Sequence, residues 1–205
     1  MQLSRPPLFH ELRSLPNLLS LVRIAVIPLL VVLLCFDNAI MSLLGATLYG
    51  LGAVTDVIDG YLARRMGTTS TMGKLLDPLA DKLLVLTSLV MLVDLHRVSA
   101  IIVLFVVFRE LVVTGIRGIA SAEGLVLAAN RGVKLKTTFF NFGIGCLILH
   151  TYYAPFSLDL HLTGTILLLI GLVFSLSSGY SYVHAFISHR PPSPHDQPPV
   201  VRPGD

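Results

Sequence analysis

Residues 55–82 read TDVIDGYLARRMGTTSTMGKLLDPLADK and bring together four carboxylates, Asp56, Asp59, Asp77 and Asp81. Oxygen ligands with no cysteine or histidine among them suit Mg²⁺, Mn²⁺ or Ca²⁺ rather than Zn²⁺. Two such ions held by carboxylates commonly serve phosphoryl transfer. Spacing supports a shared site. On a helix, Asp56 and Asp59 stand three residues apart, with Gly60 and Ala63 on the same face. Gly73, Asp77 and Asp81 repeat every four residues and form one stripe on the helix that follows. A short connection through RMGTTST makes the two helices antiparallel neighbours, so the four carboxylates converge. Gly60, Ala63 and Gly73 leave a void beside them, and Arg64 stands at its mouth, suited to a phosphate.

The helices that carry this cluster belong to an unusually apolar chain. Of its 205 residues, 54% are hydrophobic and 13% charged, and the mean hydropathy is +0.78. Soluble domains carry about a quarter charged residues, so the composition points to an all-α polytopic membrane protein. A bilayer core about 30 Å thick takes roughly 20 apolar residues per helix. The expected spans are about 17–36, 40–64, 74–93, 98–119, 135–153 and 160–187, six in all. Residues 1–15 suit an interfacial amphipathic helix, with Leu8, Phe9, Leu12 and Leu15 toward lipid. Residues 16–188 form the transmembrane catalytic domain, and the proline-rich 189–205 an extended, disordered tail. No cleavable signal peptide is expected.

The sequence pI near 9.0 would suit a nucleic-acid partner if its cations were clustered, but they are dispersed beside apolar runs. Membrane topology accounts for them, and no nucleic-acid partner is expected. With the N-terminus inside, the cytoplasmic flanks carry Arg5, Arg13, Arg64, Arg65, Lys74, Arg117, Arg131, Lys134, Lys136, Arg190 and Arg202. The outer loops carry Arg97, while Arg23, Lys82 and Arg109 lie inside spans. That asymmetry predicts both termini inside and the acidic cluster at the cytoplasmic face. Cys35 and Cys146 sit in apolar runs without metal-ligand spacing, as packed free thiols do.

Embedding an aspartate at mid-membrane costs roughly 2.5–3.5 kcal/mol, and crowding four together adds repulsion. Divalent cations offset both. The alternative is small-residue helix packing with aspartates paired to Arg or Lys, which accounts for Gly60, Ala63 or Gly73 singly but not for the whole set. A second alternative, a cation transporter, has no polar continuation in the outer halves of the spans.

The pattern Asp56-x2-Asp59-Gly60-x2-Ala63-Arg64-x8-Gly73-x3-Asp77-x3-Asp81 resembles the signature of the CDP-alcohol phosphatidyltransferases at every fixed position. The resemblance implies a six-helix membrane enzyme, usually a homodimer, that transfers a phosphatidyl group from a CDP-linked lipid to an alcohol and releases CMP. By the same resemblance Asp56, Asp59, Asp77 and Asp81 would bind two Mg²⁺ or Mn²⁺ ions that grip the diphosphate of CDP-diacylglycerol. Gly60, Ala63, Arg64 and Gly73 would border the cytidine nucleotide. Asp81 would be the general base on the acceptor hydroxyl.

The acceptor is written elsewhere, in FRELVVTGIRGIASAEGLVLAANRGVKLKTT, residues 108–138. Arg109 and Arg117 lie eight residues apart on a similar helical face, and Lys134 and Lys136 open the next helix. Cations gathered beside an anionic site suit an acceptor bearing its own phosphate. Positive-inside anchoring or an Arg109–Glu110 pair is the alternative. Arg109-Glu110, Thr114-Gly115-Ile116-Arg117, and Asn17, Ser20, Arg23 and Pro28 near the start resemble the subgroup whose acceptor is glycerol 3-phosphate. The product would be phosphatidylglycerophosphate. Gly132-Val133-Lys134-Leu135-Lys136-Thr137 departs from that subgroup's Gly-Lys-x-Lys-Thr by one glycine position. Inositol phosphate, serine or phosphatidylglycerol are the other acceptors to weigh.

Overall fold

The computed structural model describes residues 15–66, 71–122, 131–150 and 159–188, with the side chains of 15–17, 19, 56–66, 71–78, 122 and 131–134 outside the description. Its elements are α1 (Leu15–Cys35), α2 (Ala39–Met66), α3 (Thr71–Asp94), α4 (Ala100–Ala122), α5 (Arg131–Leu149) and α6 (Leu160–Ser188). No strand occurs among the described residues, so the all-α expectation is met. The expected interfacial helix (apart from Leu15) and the proline-rich tail lie outside the described residues.

Polarity is arranged inside out. Each helix exposes large apolar side chains, and α4 exposes Ile101, Leu104, Phe105, Phe108 and Leu111 on one flank. Arg23, Arg97, Arg109, Lys136, Ser20, Ser42, Ser88, Ser175 and Ser178 are buried instead. Apolar surface facing outward is stable only against an apolar surrounding. Judged by length and composition, α6 qualifies as a membrane span, with a window hydropathy of 2.0. Shorter apolar stretches run through Ser20–Cys35, Ala39–Thr55 and Leu135–Leu149.

The core is built around Leu30, Leu34, Tyr49, Leu84, Ile144 and Leu168, drawn from α1, α2, α3, α5 and α6. Helices α5 and α6 pack tightly, and glycine is the reason. A Cβ on Gly164 would stand 2.7 Å from Leu147 Cγ and 2.9 Å from the Gly143 carbonyl oxygen. Without side chains at 143 and 164 the two backbones touch, which is how small residues pack helices where lipid supplies no hydrophobic drive.

At the end of the bundle away from the acidic segment, Arg97 joins three connections. Its Nη1 donates to the carbonyls of Leu147 (3.3 Å) and Ile148 (2.6 Å), groups left open by the end of α5. Its Nη2 pairs with Asp37 from the α1–α2 connection and lies 3.4 Å from Ser42 Oγ. The cation expected merely to sit in an outer loop is therefore a buried clamp.

Helix ends depart from the expected spans by a few residues. Helix α5 begins at Arg131 rather than near 135, because its polar first turn continues the hydrogen-bonded ladder that hydropathy does not register. It stops at Leu149 with His150 at φ 48°, and α3 ends similarly before His96 at φ 55°. Left-handed residues commonly end helices, but glycine usually fills the position; the α3 stop falls within one residue of the expected 93, while α5 stops four residues before the expected 153.

Candidate active site

Helices α2 and α3 run into and out of the 67–70 connection, placing Asp56 and Asp59 in the last turns of α2 and Asp77 and Asp81 in the first half of α3. The side chains of Asp56, Asp59, Gly60, Ala63, Arg64, Gly73 and Asp77 lie outside the described residues, as does that of Lys134. Asp81 is described and half-buried.

Asp81 opens onto a narrow cleft of about 30 Å³ between α3, α4 and α5. Lys82, Glu110, Lys136, Thr137 and Asn141 share its walls, and Val106 and Phe140 contribute apolar surface. A carboxylate from the acidic stripe and a lysine from the expected acceptor set thus meet in one cavity, although 55 positions (136 − 81) separate them. Lys136 is buried, pairs with Glu110 Oε1, and lies 5.5 Å from the centroid of the Phe140 ring.

Glu110 is central. The same Oε1 that accepts from Lys136 also accepts from Arg109 Nη1 at 2.7 Å, joining α4 to α5. Two cations on one carboxylate hold the lysine at the cleft wall. Sequence inspection weighed Glu110 only as a partner for Arg109; its role toward Lys136 needs the α4–α5 packing to become visible.

The expected cations face different ways. Arg109 is buried and turned toward α6, where Nε donates to the Ser175 carbonyl (2.8 Å) and Nη2 to Ser178 Oγ (2.6 Å). Gly179 lies alongside, where a Cβ would make ordinary contact with Arg109 Nε at 3.4 Å. Arg117 is exposed; its Nη2 donates to the Tyr182 hydroxyl, and its guanidinium lies 4.4 Å from that ring's centroid. The two arginines share a helical face, as their eight-residue spacing predicts, and that face runs along α6. Ser175, Ser178, Gly179 and Tyr182 form the matching stripe, in a helix the sequence had marked only as apolar.

Lys82 donates to Thr114 Oγ1, which in turn donates to the Glu110 carbonyl at 2.6 Å. On the far wall, Asn141 Oδ1 accepts from the fully buried Tyr49 hydroxyl at 3.0 Å. Asn141 and Tyr49 also border a second, mostly apolar groove of about 450 Å³ between α2 and α5, where Gly50, Ala53 and Gly145 keep the walls low.

An acidic helix pair beside a cation-lined cleft in an inside-out bundle is the arrangement expected of an enzyme acting on a charged lipid headgroup. The model of the CDP-alcohol phosphatidyltransferase family matches residues 13–177, and the chain belongs to that family. Among named relatives, CDP-diacylglycerol–glycerol-3-phosphate 3-phosphatidyltransferase of Rickettsia typhi is 36% identical over 174 residues, spanning 85% of this chain and 97% of the relative. The Bacillus subtilis protein of the same name is 35% identical over 181 residues, spanning 82% and 93%. A probable phosphatidylglycerophosphate synthase of Mycobacterium tuberculosis is 29% identical over 176 residues, spanning 84% and 81%.

Proposed function

We propose that this protein transfers the phosphatidyl group of CDP-diacylglycerol to glycerol 3-phosphate, releasing CMP and forming phosphatidylglycerophosphate for phospholipid biosynthesis. The observation that carries this reading is the shared cleft of Asp81 and Lys136. It sets a carboxylate able to accept a proton beside an ammonium able to hold a phosphate. The relatives named for the same reaction support it.

The donor set of the acidic stripes is oxygen alone, which fits hard divalent cations. Asp56, Asp59, Asp77 and Asp81 would hold two Mg²⁺ or Mn²⁺ ions, whose chemistry is to neutralise charge on the donor diphosphate and on departing CMP. Gly60, Ala63, Arg64 and Gly73 border the nucleotide, and the apolar α2–α5 groove is suited to an acyl chain of the lipid. Asp81 takes the proton of the acceptor's free hydroxyl as that oxygen bonds to the lipid-side phosphorus and the bond to CMP breaks. Lys136 holds the acceptor's phosphate at the cleft wall, kept in place by Glu110. Lys134 and Arg117 add charge at the cytoplasmic rim. Arg109, whose donors are engaged with Ser175, Ser178 and Glu110, contributes its positive field from behind.

All six helices cross the plasma membrane in this reading, with both termini and the active site on the cytoplasmic side. Residues 1–15 lie along the interface, and the proline-rich tail extends into the cytoplasm. The enzyme works as a homodimer surrounded by membrane lipids. CMP release from CDP-diacylglycerol with Mg²⁺ or Mn²⁺ tests the acceptor when glycerol 3-phosphate, inositol phosphate and serine are compared. Release with glycerol 3-phosphate well above the others is expected; turnover with another alcohol alone would keep the chemistry and replace the acceptor.

A further inference from the structure

Three buried cations each meet a carboxylate: Arg97 meets Asp37, and Arg109 and Lys136 meet Glu110. Lys82 differs. It is half-buried on the wall of the Asp81 cleft, and its ammonium donates to the neutral hydroxyl of Thr114. Among the described residues no carboxylate lies within ion-pair range of it. Thr114 cannot neutralise that charge; its own proton goes to the Glu110 carbonyl. An ammonium drawn into an apolar bundle with only a neutral partner is costly, and its charge is left for an anion entering the cavity.

Lys136 reaches the same cavity from α5. Two ammonium groups on separate helices therefore share the walls that hold Asp81. We propose that Lys82 is a second binding cation for the acceptor's phosphate, acting with Lys136 and favouring a phosphorylated alcohol over a neutral one. This assignment rests on the transfer reaction proposed above. The competing role is a simple tie between α3 and α4 through Thr114.

Full-length enzyme in detergent, assayed by CMP release with varied glycerol 3-phosphate, separates the two. Losing one charge-assisted hydrogen bond should raise the glycerol 3-phosphate KM of Lys82→Met about tenfold or more. The KM for CDP-diacylglycerol should stay near wild type, and Lys82→Arg should recover much of the loss. Thr114→Val removes the tie but keeps the ammonium, so its KM should lie much closer to wild type than that of Lys82→Met. An unchanged KM in Lys82→Met, or a Thr114→Val variant as impaired as Lys82→Met, would overturn the assignment while leaving the reaction intact. A wild-type enzyme inactive with glycerol 3-phosphate would overturn the reaction and the assignment with it. If Lys82→Met is not recovered folded, Lys82→Gln takes its place with the same readout.

Discussion

Asp81 is the general base in the proposed reaction. It ends the acidic stripe, and its side chain reaches the cleft that Lys136 also lines. Replacing it with asparagine keeps the shape and removes the proton acceptor, so kcat should fall about 10²–10⁴-fold while CDP-diacylglycerol still binds. Stopped-assay turnover together with equilibrium binding of the donor checks this, and undiminished turnover would remove Asp81 as the base. The four aspartates stand out in the sequence by type and spacing; of their side chains, only that of Asp81 lies among the described residues. The acceptor side was legible as a set of cations but not as an arrangement. Arg109 and Glu110 are adjacent in sequence yet point about 100° apart around a helix. One therefore faces α6 and the other the cleft, and only the neighbouring helices decide which does what. Tyr182 and Ser178, which hold Arg117 and Arg109, gave no signal because their hydroxyls are ordinary in an apolar helix until its partner is known.

Among the helices, the α5–α6 pair fixes the bundle on which Lys136 is mounted. Its contact depends on Gly143 and Gly164 lying backbone to backbone, with no space for a methyl group. Gly164→Ala should therefore destabilise by about 1–3 kcal/mol, read as a lowered thermal midpoint in detergent. Gly145→Ala is the matched control, since a Cβ there meets nothing within 4 Å, and its midpoint should stay near wild type. Equal midpoints for the two variants would mean that the close approach carries no stability. The order of the helices among the described residues followed from hydropathy, because the apolar runs are separated by polar connections. The end of α5 did not, because it stops before His150 in the left-handed conformation rather than at glycine, four residues short of the expected end.

For the molecule as a whole, composition and structure agree: large leucine, isoleucine, valine and phenylalanine side chains cover the outside as well as the core, while several arginine, lysine and serine side chains are buried among them. Such a body places a charged cleft where a lipid headgroup and a water-soluble phosphate ester can meet. Membrane character was plain in the sequence; the buried Arg97 clamp was not, since an outer-loop arginine looks the same whether exposed or enclosed. The account requires that one molecule of glycerol 3-phosphate enter the lipid for each CMP released. The decisive measurement supplies radiolabelled glycerol 3-phosphate and CDP-diacylglycerol to the purified protein with Mg²⁺ and follows label into the chloroform phase alongside CMP. Equimolar label and CMP, both abolished when CDP-diacylglycerol is omitted, is the predicted result; CMP release with no label in lipid would contradict it.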